Sequence, residues 1–131
     1  MQSESSTPPV SKKVLWIGYI LSALPVLMFA FSATMKFLKP PEVLKGFTHL
    51  GYPEHLALAL GILELGCTIV YVIPRTSILG AILLTGYLGG AMASHVRIGE
   101  PVFTHIILGV MIWGGPFLRD RRLRALIPIR K

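Results

Sequence analysis

Four long apolar runs constrain this chain more than anything else in it: Val14 to Leu38, Leu56 to Ile73, Ser77 to His95, and Val102 to Leu118. At 1.5 Å per residue each is on the order of 25 Å or longer, enough to cross a hydrocarbon core of about 30 Å with small adjustments. Pro74-Arg75 is the short break between the second and third runs, and Gly99-Glu100-Pro101 turns the third into the fourth. Connections this short make antiparallel neighbours. In a chain of 131 residues, 53% hydrophobic and 15% charged, four such segments leave almost no polar face for water. The sequence therefore predicts an all-α fold, a transmembrane four-helix bundle. Its membrane domain spans residues 14–118, between a flexible cytoplasmic tail (1–13) and a basic cytoplasmic tail (119–131).

The net charge of +7 raises nucleic acid as a partner, but the placement of the charges argues against it. Assigned to alternating sides of four spans, Lys12, Lys13, Arg75, Arg119, Arg121, Arg122, Arg124, Arg130 and Lys131 fall together, nine in all. Lys36, Lys39, Lys45 and Arg97 make four on the other side. The positive-inside rule then puts both termini in the cytoplasm, in a bacterium on that face of the inner membrane. The lipid bilayer is the expected partner of the basic tail, through anionic headgroups.

Residues 1–11 are polar, Ser-rich and carry Pro8-Pro9, the composition of a flexible tail. Lys12-Lys13 before an apolar run also suits a signal peptide, but the run is longer than a signal core. Pro25 removes a backbone hydrogen bond within the first span and predicts a bend there. Between spans one and two, Pro40-Pro41 stops the helix, Val43, Leu44, Phe47 and Leu50 recur at helical spacing, and Gly51 ends the element. This predicts a short interfacial helix lying as a lid over the outer mouth. In the third span Gly86 and Gly90 form a G-x-x-x-G pair that lets another helix approach closely, within the bundle or in a homo-oligomer.

Glu64 stands alone in an otherwise apolar run, where insertion scales put the cost of an acidic side chain at about 2.5–3.5 kcal/mol. Groups from the other spans can reach it. Ser32 and Lys36 are four apart on one helix face, His95 closes the third span, His105 opens the fourth, and Arg97 follows His95 by two. All fall in the outer half, whereas the inner half carries Trp, Tyr and aliphatic residues. One reading is a site orienting a small apolar molecule such as a quinone, with Lys36 and Arg97 compensating charge. A second, a metal held by Glu64, His95 and His105 or a haem held by the two histidines, lacks H-x-x-H or E-x-x-H spacing, so no metal site is assigned. A third is a structural clamp in a protein that acts by binding a membrane or redox partner. G-x-S-x-G, phosphate-loop, H-E-x-x-H and C-x-x-C patterns are all missing, and the question of enzymatic activity stays open. The single cysteine, Cys67, reads as a small buried hydrophobe.

The segments SATMKFL (32–38), LGYP (50–53), GILELG (61–66), LGAILLTGYLGGAMA (79–93) and HVRIGEP (95–101) occur in an order and spacing that resembles the DoxX-like family. That resemblance implies a four-helix membrane bundle with Lys36, Glu64 and His95 at the family's polar positions. It also implies a link to thiosulfate:quinone oxidoreduction, to membrane complexes of oxidative-stress defence or, more distantly, to membrane chaperones. The function expected is a quinone- or partner-binding subunit of a membrane redox system, with a non-enzymatic assembly or chaperone protein as the alternative.

Overall fold

The computed structural model describes residues 10–130, so most of the expected N-terminal tail, residues 1–9, and the final Lys131 fall outside it. The described residues are helical, without a strand. Helix α1 runs from Lys12 to Leu38, α2 from Pro41 to Leu50, α3 from Leu56 to Val72, α4 from Ser77 to Arg97, α5 from Phe103 to Arg119, and the short α6 from Arg121 to Arg124. A 3₁₀ turn, Pro74–Thr76, links α3 to α4. The four apolar runs thus become α1, α3, α4 and α5, with ends within two residues of those read from the sequence.

Local chemistry sets the boundaries. Ser11 caps α1 by accepting a hydrogen bond from the Val14 amide at 3.3 Å, so the helix starts two residues before the apolar run. It continues through Pro25 and closes where Lys39 turns left-handed and returns its amide to the Met35 carbonyl. Pro41 occupies the first turn of α2, where a missing N–H costs nothing, and Gly51 at φ 83° ends it with its amide on Thr48.

The longer helices close a ring of contacts in which α1 packs on α3 and α5, and α4 packs on α3 and α5. Close approach happens at glycines. A Cβ on Gly80 would lie 2.2 Å from the Tyr71 Cα, which fixes α4 against α3. One on Gly115 would lie 1.9 Å from the Ser22 Oγ and 2.9 Å from the Gly18 carbonyl oxygen, which fixes α5 against α1. The G-x-x-x-G pair behaves otherwise. A Cβ on Gly86 or Gly90 meets nothing within 4 Å, so no helix among the described residues packs there.

The core gathers Phe29, Cys67, Tyr71, Ala81, Leu84, Leu88, Leu108 and Ile112. The buried set also includes Ser22, Glu64, Thr68 and Ser94, while Trp16, Leu27, Phe31 and Val110 are each about two-thirds exposed. Polar residues are thus found inside beside the apolar core while many large apolar side chains face outward, an exterior unlike that of a water-soluble helical protein. Two stretches, Lys12–Leu38 and Pro74–Arg97, are long and apolar enough to cross a membrane; α3 and α5 are shorter apolar helices.

Candidate functional site

At the α2 end of the ring lies a cavity of about 640 Å³, bounded by α1, α2, α3, α4 and α5. Its walls are mainly apolar: Phe29, Val43, Phe47, Leu60, Leu88 and Leu108 among them. Ser32, Lys36, Tyr52, Glu64, Tyr87, Ser94, His95 and His105 supply its polar groups. Five of the six residues expected at the site from the sequence therefore border one space.

Lys36 organises the polar wall. Its ammonium donates to the Ser32 hydroxyl at 2.7 Å, one helical turn away, and to the Glu64 Oε1 at 3.0 Å on the facing helix. The carboxylate side chain is 3% exposed and the ammonium side chain 15%, so the pair is largely withdrawn from solvent. Gly61 allows this approach, because Lys36 and Phe37 pack against the bare backbone there. Tyr87 of α4 brings its hydroxyl near the same carboxylate. An acid facing one ammonium and two hydroxyls is neutralised and hydrogen-bonded, the condition under which a buried carboxylate is tolerated.

The histidines form a second group. The rings of His95 and His105 meet edge to face with centroids 4.8 Å apart. The Nδ1 atoms of both are buried without a hydrogen-bond partner among the described residues. Buried polar atoms are normally paired, so these two mark a place for a further donor or acceptor. No cluster of three or more His, Cys, Asp or Glu side chains able to hold a metal ion occurs among the described residues.

Arg97 is placed differently from the expectation. Its guanidinium donates to the Leu50 carbonyl at the C-terminus of α2 and does not border the cavity. Two residues beyond His95, it lies past the cavity mouth, where the exposed carbonyls of a helix end attract a cation. Two further links tie the α2 region to α4: the Tyr52 hydroxyl donates to Ser94 Oγ, and His49 pairs with Glu100 just beyond α4.

Sequence reasoning missed Tyr87, Tyr52 and Ser94. Tyr87 had one legible signal, a phenol between glycines in mid-span. It also missed a second polar network at the opposite end, where only apolar and interfacial groups were expected. There Arg119 donates to the Ser22 hydroxyl at 2.7 Å, Ser22 lies 2.9 Å from the Tyr71 hydroxyl, and Tyr71 donates to the Ile112 carbonyl at 2.7 Å. Since Arg119 and Tyr71 must donate in these contacts, Ser22 donates to Tyr71, and the chain of bonds runs one way through α5, α1, α3 and back to α5. It is fully paired and offers nothing to a ligand.

The family model described as DoxX-like family matches residues 20–114, from within α1 to within α5, and the chain belongs to that family. The comparisons with curated proteins and with solved structures give no match.

Proposed function

We propose that this DoxX-like protein is a multi-pass integral membrane protein whose cavity binds the head of a quinone-like molecule, as a subunit of a membrane redox or oxidative-stress system. The observation that carries the reading is the cavity itself: about 640 Å³ of mainly apolar wall, a neutralised Lys36–Glu64 pair, and two buried imidazole nitrogens awaiting a partner. Net-neutral polar groups set in apolar surroundings suit an uncharged molecule with a few hydrogen-bonding atoms. Lys36, with one N–H beyond those given to Ser32 and Glu64, would donate to a carbonyl oxygen of such a head, and His95 and His105 would donate or accept according to tautomer. A bound quinone would supply two-electron, two-proton redox chemistry; this chain's residues would bind and orient it.

The exterior supports four spans. Beyond the two long helices, α3 and α5 have 17 residues each, at the lower limit of about 17–25 for a span, and both expose large apolar side chains, including Ile62, Ile69, Ile107 and Val110. The four-helix bundle then stands in the bilayer with both termini cytoplasmic, as the distribution of nine basic residues against four supports. The α2 end and its cavity lie towards the opposite surface.

The test is purification of the full-length protein in mild detergent, followed by solvent extraction and mass spectrometry. A stoichiometric quinone, retained by the wild type and lost from His95→Leu/His105→Leu, supports the reading. Protein that extracts without quinone and takes none up from quinone-loaded liposomes overturns it.

A further inference from the structure

We propose that the cavity is filled sideways from the bilayer, through a slot between α3 and α4 at Gly86 and Gly90, by a membrane-dissolved amphipath rather than from the aqueous end. This deepens the ligand-binding reading above and rests on it. Gly86 and Gly90, four residues apart and so on one face of α4, both border the cavity and are both exposed. Because a Cβ built on either meets nothing within 4 Å, the space beside them is open. Across from them Leu60 and Leu63 of α3 border the same cavity, and Leu63 is 52% exposed.

The depth of the slot follows from the register of the two helices. Gly80 lies against the Tyr71 backbone, and continuing this antiparallel pairing by six and ten residues brings Gly86 and Gly90 level with Leu65 and Gly61. The opening therefore sits at the height of Glu64. Its surroundings are apolar, with Ile62, Ile82 and Leu83 all exposed nearby, which suits a solute arriving in hydrocarbon. The end of the cavity is covered by Val43, Gly46, Phe47 and Leu50 of α2, which Arg97, Tyr52 and His49 tie down. A closed end and an open side give a lipid-phase molecule the shorter path, with its head reaching the polar wall and its tail left in the slot.

The experiment uses the full-length protein in lipid nanodiscs and a decyl-tailed benzoquinone bearing a diazirine, with labelling of cavity peptides followed over time by mass spectrometry. Gly86→Leu and Gly90→Leu fill the slot without a steric conflict at Cβ. Gly89→Leu puts the same side chain on α4 away from the cavity, where a Cβ is equally free. The slot predicts that cavity labelling slows roughly tenfold or more in Gly86→Leu and Gly90→Leu, a change within the range of on-rates among variants of one site. Gly89→Leu should label at the wild-type rate, and the thermal midpoints of all three variants should be no lower than that of the wild type. Wild-type labelling rates in both slot variants, or equal slowing in Gly89→Leu, overturns the lateral route while leaving the binding reading intact. A wild-type protein whose cavity never labels overturns both.

Discussion

The Lys36 ammonium and the Glu64 carboxylate meet at 3.0 Å across the contact between α1 and α3, with the acid almost wholly buried. Removing either partner alone leaves the other charged and withdrawn from water, a change that typically destabilises by about 3–5 kcal/mol. Lys36→Met should fall in that range when unfolding is followed by denaturant titration in detergent. The double variant Lys36→Met/Glu64→Gln should lose much less than the sum of the single losses, since nothing charged remains to be satisfied. Additive losses in the cycle would mean that the two groups do not act as a pair.

The glycines divide into two classes that substitution should separate. A methyl on Gly80 would overlap the Tyr71 backbone, and rigid backbone cannot give way, so Gly80→Ala must push α3 and α4 apart. A loss of about 1–3 kcal/mol, the usual cost of overpacking, is expected in thermal unfolding. Gly66 is exposed in mid-helix with nothing within 4 Å of a built Cβ. Gly66→Ala should stabilise by about 0.5–1 kcal/mol through helix propensity. Equal effects at both positions would contradict the packing described.

These glycines also show where sequence reasoning stops. Glu64 announces its need for partners because a carboxylate in an apolar run has no cheap alternative, and Lys36 declares its face by lying four residues after Ser32. The helix boundaries were equally legible, because Pro41 and Gly51 act locally through backbone geometry. The G-x-x-x-G spacing, by contrast, says only that close approach is permitted at Gly86 and Gly90; whether a helix comes is decided by the rotation of α4, which Gly80 sets against Tyr71. That same rotation turns Tyr87 towards Glu64. It likewise takes the tertiary fold to bring Arg119, some hundred residues along the chain, back to Ser22.

The network at the termini end predicts its own cost. Tyr71 is 3% exposed and its hydroxyl joins Ser22 to the Ile112 carbonyl. Tyr71→Phe keeps the ring but leaves both partners short of a bond in a buried place, which costs about 1–3 kcal/mol. Urea unfolding in detergent measures this directly. Ligand retention in the distant cavity should be unaffected, and a variant that unfolds like the wild type while losing ligand would assign Tyr71 to the site instead.

The attachment of α2 can be read without any ligand. This helix is held to the end of α4 by side chains: Arg97 on the Leu50 carbonyl, Tyr52 on Ser94, and His49 with Glu100. Arg97→Ala removes the donor to the Leu50 carbonyl at the C-terminus of α2. Elements held by few contacts open locally at a free energy below that of global unfolding. Amide exchange in residues 41–50 of Arg97→Ala should therefore quicken by roughly tenfold, the equivalent of about 1.4 kcal/mol and within the range for a hydrogen bond to a charged group. Amides in the α3 core, such as those of Cys67 and Thr68, should exchange as in the wild type. Exchange quickened equally in both regions would mean that Arg97 supports the whole fold and that α2 does not move as a separate lid.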